Sequence, residues 1–188
     1  RVLFRSGAAD QVQSLYARPV AVFPAPGMNS SDSYFMREDK DDSRARAYVG
    51  YMGQAHHPVT CGNHLMASAL QGAKTVTDGD DYWTLAVYHN SKRELGKTMK
   101  EARDSVPKRM ELMLHHDEVL RDEMSVIELS GNVKGSDLPR ALSDLHVKRD
   151  ELGSVDLVAC TNMISVGVDV SRLNLMVVLG QPKTTAEY

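Results

Sequence analysis

Apolar residues along this chain fall into short, nearly unbroken runs, separated by longer stretches in which they recur every three to four positions. The runs are residues 82–88 (YWTLAVY), 124–130 (MSVIELS), 156–160 (DLVAC) and 175–179 (LMVVL). Runs of that length without polar alternation are the pattern of strands covered on both faces, as in a parallel sheet. Between them, Leu95, Met99, Ala102 and Val106 predict a helix up to Pro107, with a second piece carrying Met110, Met113, Leu114, Val119 and Leu120. Leu138, Leu142 and Leu145 predict another, with Ser136 or Asp137 as its cap and Pro139 in its first turn. Upstream, Leu65, Met66, Ala69 and Leu70 form one helical face, capped by Thr60 and ended by Gly72, and residues 8–16 form a shorter amphipathic pattern. Residues 47–51 predict a first strand closed by Gly53. The alternation of the two periods predicts an α/β fold, a parallel sheet with helices on both faces.

The N-terminal quarter is patterned differently. Residues 18–23 are extended and apolar, Pro24 to Gly27 is a strong turn, and residues 29–43 are polar and charged. Residues 7–45 therefore read as a linker or lid leading into a lobe at 46–188. Residues 1–6, RVLFRS, carry no initiating Met and read like one frame of a sequencing-library adapter, so they are expected to fall outside the natural protein. A chain of 188 residues suffices for one such lobe and is too short for two.

In a parallel sheet, right-handed crossovers bring every polar strand end to one rim. That rim is expected to hold Asn90, Ser91, Ser130, Thr161, Asn162 and Asp169. Thr and Asn offer hydroxyl and amide groups to phosphate oxygens, Gly167 lets backbone N–H groups approach an anion, and Asp169 can accept from a ribose hydroxyl. Ser91 with Glu94 makes a capping box, so a helix N-terminus opens beside Asn90, Ser91 and Lys92 and favours an anion there. The rim reads as a nucleotide or nucleic-acid edge.

Charge narrows this reading. The formal net charge is −3 and the isoelectric point about 6.2, so no global basic field holds a polyanion, and a contact must be local. Lys92, Arg93, Lys97, Lys100, Arg103, Lys108 and Arg109 outnumber the nearby acids, and read first as the solvated face of a surface helix. Two cysteines, Cys61 and Cys160, form no framework, which fits reduced thiols in a cytoplasm. No apolar run approaches the roughly 20 residues that span a bilayer, so no membrane partner is expected. Cys61 and His64 with His56 and His57 have a spacing seen in metal sites, but no second pair of ligands accompanies them, and the cluster reads as polar loop.

The segment ACTNMISVGVDV (159–170) followed by LMVVLGQPKTTAEY (175–188) resembles motif V and the approach to motif VI of superfamily-two helicases. The second half is most similar to the large helicases that include the helicase subunit of the DISARM phage-defence system. The stretch from His89 to Gly96 resembles motif IV, and Ser130 the short motif between IV and V. The resemblance implies a second RecA-like lobe. Asn90, Ser91, Lys92, Ser130, Thr161, Asn162 and Gly167 would then face nucleic acid, and Gly167 and Asp169 would face ATP. ATP and Mg would be shared with the N-terminal RecA-like lobe of the same protein, and the phage-defence likeness implies DNA rather than RNA.

Motif VI would supply an arginine to the transition state, and the sequence stops at Tyr188 before it. Walker A and Walker B sequences are absent too; Gly72 to Thr75 imitates only the end of a Walker A loop and follows a helix where the true loop precedes one. The chain is therefore expected to hydrolyse no ATP alone. Two competing readings are a stand-alone small α/β binding or docking module without motor activity, and a thiol or metal hydrolase built on Cys61 and His64.

Overall fold

The computed structural model describes residues 8–21, 32–33, 36–37, 46–75, 80–121, 124–162 and 170–181. The chain divides into two compact units, Arg1–Met52 and Gly53–Tyr188.

In the first unit, helix α1 spans Ala8–Tyr16. Strands β1, Asp32–Ser33, and β2, Met36–Arg37, form a two-residue antiparallel ladder. The turn expected at 24–27 lies outside the described residues. Residues 47–51, expected as a strand, have no regular structure. Tyr48 is 70% exposed and Val49 90%. An apolar stretch becomes a strand only when a ladder neighbour takes its N–H and C=O groups, and none of the described strands pairs with this one.

The second unit carries the sheet. Helix α2 runs Pro58–Thr75, starting earlier and ending later than expected. Pro58 at its first turn has a preset φ, and the cap is His57, whose Nδ1 accepts from Val59 N at 3.3 Å, rather than Thr60. Gly72 does not stop the helix, which continues one turn to Thr75. Helix α3, Asp80–Trp83, takes Tyr82 and Trp83 out of the expected strand, so β3 is Leu85–Tyr88. Helix α4 is unbroken from Lys92 to Met113 with Pro107 inside it. The expected break is overridden because Leu95, Ala102, Val106 and Met110 bury one continuous face across the proline, and this burial offsets the roughly 3 kcal/mol an interior proline costs. Strand β4 is Val126–Leu129. Helix α5 is Leu138–Asp144, with Asp137 at the cap position but no side-chain cap bond. Strands β5, Leu157–Cys160, and β6, Leu175–Val178, complete the unit.

The four longer strands form an all-parallel sheet in the order β4-β5-β3-β6. Alternation along β3 sends Leu85 and Val87 to one face, where Met66 and Leu70 of α2 and Leu95, Val106 and Met110 of α4 cover them. Ala86 and Tyr88 face the other way, with Val158, Leu129 and Leu145, and with Leu138 and Leu142 of α5 packed against them. The fold is thus α/β, with helices on both faces of a parallel sheet.

The amino-terminal edge of the sheet is closed by a buried ion pair. The Arg121 guanidinium donates to Asp156 Oδ1 from Nε at 2.8 Å and Nη2 at 2.6 Å, and also to the carbonyls of Leu70 and Trp83. It lies over the Trp83 ring at 3.6 Å. Asp156 Oδ2 accepts from Ser125 N at 2.7 Å. Among the described residues no helix is long and apolar enough to cross a membrane.

Candidate functional site

At the opposite edge the ladders end together: His89 N donates to Cys160 O, Thr161 N to Leu129 O and Leu179 N to Tyr88 O. The chain leaves these ends in different directions. From β3 it enters α4 on one face; from β5 it reaches Val170 and Leu173, which pack on the other. Adjacent strands whose connections diverge leave a crevice at their carboxyl ends, the place where ligands settle in open α/β sheets.

Residues from three strand ends meet there. Ser91 caps α4 with extended backbone (φ −143°, ψ 150°), and its Oγ accepts from Glu94 N at 3.3 Å. Lys92 reaches across the end of β5 to the β4 exit, where its Nζ donates to Asn132 Oδ1 at 2.8 Å. Gly131 lies beneath it, and a Cβ there would sit 3.4 Å from that ammonium. Asn90 turns the other way, donating from Nδ2 to Gln181 O at 2.7 Å. Its Oδ1 is buried without a partner.

Ser130 is fully buried. Its hydroxyl donates to the Glu128 carboxylate and accepts from Asn132 N at 3.1 Å, so it builds the turn, and Asn132 is the side chain this corner presents. Thr161 is 8% exposed, and Asn162 lies exposed beside it. Gly167 and Asp169 lie outside the described residues. Asn90, Ser91, Lys92, Ser130, Thr161 and Asn162 therefore share one rim.

Three further participants are not among the rim residues expected from the sequence. Asn132 and Gln181, each three residues past the end of its strand, enter as hydrogen-bond partners of Lys92 and Asn90. His89 is 2% exposed, and its Nε2 has no partner. Burial pushes its pKa below the usual 6.5, although the Glu94 carboxylate pulls the other way. A polar residue directly after a buried strand is the one hint the sequence offered.

The rim offers amide donors, hydroxyls, a helix N-terminus and an ammonium, a set suited to holding an anion. The thiols do not extend this chemistry. Cys160 is fully buried and its pKa is pushed up to about 12, which keeps it protonated and inert. Cys61 points at the carbonyls of Gly53 and His56. The His56 and His64 rings stand edge-on with centroids 5.8 Å apart. No three His, Cys, Asp or Glu side chains among the described residues converge to hold a metal.

Fold and rim together define a parallel α/β lobe with polar side chains gathered at its topological switch point. The chain is similar to a segment of the DISARM protein DrmA of Bacillus paralicheniformis, with 35% identity over 194 aligned positions that cover 96% of this chain and 17% of that protein. Identity at that level over almost the whole chain is homology to a segment of a phage-defence protein, and the chain spans about a sixth of its length. No protein-family model matches the sequence.

Proposed function

We propose that this chain is the second RecA-like lobe of an ATP-dependent superfamily-two translocase, and that its rim grips the backbone of DNA rather than RNA. The observation that carries the reading is that Asn90, Lys92 and Thr161 share one rim at the switch point, in a chain homologous to part of DrmA. Lys92 now bonds a neutral amide oxygen at an exposed corner. A phosphate oxygen is the stronger acceptor for an ammonium, so the exchange favours phosphate. The α4 amides next to Ser91 face the same way, and the unpartnered Oδ1 of Asn90 is left to order a water or a sugar hydroxyl.

ATP with Mg belongs to this reading through the helicase resemblance at Gly167 and Asp169, with the N-terminal RecA-like lobe of the same protein supplying the rest of the cleft. When bound, ATP supplies the phosphoryl-transfer energy that opens and closes such a cleft. This chain's contribution is to bind and orient: the rim holds a backbone segment while the lobe moves as a rigid α/β unit.

The test is fluorescence anisotropy of a labelled single-stranded DNA, and an RNA of the same sequence, across a salt series. DNA should bind more tightly than RNA, and Lys92→Ala should reduce the salt slope by about 0.7, the value of one phosphate contact on a single strand. Salt-independent binding, or an unchanged slope in Lys92→Ala, would overturn the reading. The docking-module reading is favoured by one feature, the exposed outer side of β6, where Met176 is 50% and Val178 37% exposed. On that reading the chain binds no nucleic acid and Met176→Lys abolishes self-association seen by ultracentrifugation.

A further inference from the structure

The helix that starts at the rim carries a feature the rim does not use. Lys92, Arg93, Lys97, Lys100 and Arg103 of α4 are all exposed. At 100° per residue, Arg93, Lys97 and Lys100 stack at i, i+4 and i+7 on the side opposite Leu95, Ala102 and Val106, and Lys92 and Arg103 line up three turns apart on its flank. None of the five forms an ion pair among the described residues. The acids of the same stretch make no ion pair with them among the described residues, although the Lys100 ammonium is near enough to Glu101 to help hold its carboxyl charged. Glu94 lies toward His89, and Glu101 accepts from Asn63 Nδ2 on α2 at 2.7 Å. Hydrogen bonds from Ser105 and Asn63 hold the Glu101 carboxyl below its usual range, so it stays charged and engaged between the helices. Gly96 lies among the cations with nothing within 4 Å of the Cβ it lacks, so no side chain shields the stripe there. Asp104 and Glu111 first return negative charge to the outward side, and they end the stripe.

An unpaired cation stripe on a chain of net charge −3 is a local field with a direction. From Lys92 to Arg103 it runs about 16 Å at 1.5 Å per residue. A B-form strand repeats a phosphate about every 3.4 Å, so the stripe matches about five phosphates. We infer that the outward face of α4 is a second nucleic-acid surface, continuous with the rim through Lys92, which takes the phosphate backbone of a DNA duplex extending from the strand held there. This rests on the proposed reading of the rim and adds to it a partner geometry: a single strand at the strand ends and a duplex along the helix.

The experiment compares two labelled probes on the full 188-residue chain, a short single strand and the same strand extended into a duplex, between about 50 and 200 mM salt. The triple variant Lys97→Ala, Lys100→Ala and Arg103→Ala should bind the short strand as the parent does. For the extended probe it should lose three contacts, so that between the two salt concentrations its affinity falls about 40-fold less than the parent's at the B-DNA slope. The charge-preserving variant Lys97→Arg, Lys100→Arg and Arg103→Lys should restore it, which separates lost charge from lost folding. Equal loss on both probes, or no loss on the extended one, overturns the inference while leaving the rim intact. If the parent binds neither probe, the rim reading itself fails. An acidic polypeptide that displaces the extended probe at matched charge overturns the duplex as the partner.

Discussion

The two edges of this sheet are made from the same four strands and treat their polar groups in opposite ways. At the amino-terminal edge almost every polar group is engaged. Arg121 bonds Asp156 and two carbonyls, Asp156 uses both oxygens, and Gln71 donates to Val119 O while accepting from Arg121 N. Thr84 Oγ1 bonds Val155 O, and Lys74 donates to Leu120 O. Its orphans are Trp83 Nε1, Arg172 Nε and Ser154 Oγ; the first two belong to side chains anchored by other contacts. At the carboxyl edge, Lys92 rests on a neutral amide in solvent, and Asn90 Oδ1 and His89 Nε2 have no partner. A buried polar atom left unsatisfied costs about 1–3 kcal/mol. Both edges leave buried polar atoms without a partner, but the amino edge closes a buried network around Arg121 and Asp156, whereas the carboxyl edge sets an exposed ammonium beside its orphans.

The sharpest way to break that contrast is to remove one partner at each edge. Arg121→Met leaves the Asp156 carboxylate buried, and losing one member of a buried pair costs about 3–5 kcal/mol. Lys92→Ala removes an exposed hydrogen bond and should stay within about 0.5 kcal/mol of the parent. Urea unfolding followed by far-UV circular dichroism reads both. Equal costs would mean that the carboxyl edge is as structural as the amino edge.

His89 tests the same contrast by pH. Its folded pKa is depressed, so the unfolded chain binds its proton more readily. The stability contributed by the neutral imidazole is present above 6.5 and is lost as pH falls below that value toward the folded one. The parent should therefore lose stability more steeply than His89→Gln on acidification from pH 7. Parallel stability curves for the two would remove His89 from the account. Asp80, at the other edge, behaves with the usual carboxylate sign. Burial pushes its pKa up, but the bond from Arg149 N and the Arg172 guanidinium hold it below 3.8, so its contribution disappears only in stronger acid.

The difference between the edges also marks what could be read from the sequence. The carboxyl rim was legible because each strand announces itself as an apolar run and the next polar residues must exit on one side, which placed Asn90, Ser91, Ser130 and Thr161 together. The amino edge was not. Arg121 and Asp156 are 35 positions apart, and neither periodicity nor spacing links an arginine in a loop to an aspartate before a strand. Local rules failed where tertiary context outweighed them: Pro107 sits inside a helix whose buried face spans it, and residues 47–51 look like a strand that finds no neighbour. Nor did the resemblance to motif IV foretell that Lys92 would lean on Asn132 across the end of β5.

The cap at the rim gives a smaller effect. Among the described residues Ser91 is the one side chain that satisfies an α4 amide from outside the helix, and Ser91→Ala should cost about 1 kcal/mol. The loss should appear in thermal unfolding and slightly weaken anion binding, because the freed amide becomes less well oriented. A neutral substitution would mean that the 3.3 Å bond contributes nothing net.

A matched pair of glycines supplies the finest comparison. Gly72 lies near the amino edge between Gln71 and Lys74, Gly96 near the rim among the cations, and a Cβ at either would meet nothing within 4 Å. Neither has the positive φ that Gly153 and Gly180 adopt. Each is an interior helical position where alanine is better than glycine by about 0.5–1 kcal/mol, because the unfolded chain loses less entropy on folding. Both Gly72→Ala and Gly96→Ala should raise the midpoint of urea unfolding by similar amounts with an unchanged denaturant slope. Only Gly96→Ala should also alter binding of a duplex probe, since its methyl group would stand between Arg93 and Lys100 where a backbone lies against the helix. If both glycines stabilise equally and neither touches binding, the open stripe at Gly96 is a property of the helix alone and not of the rim it extends.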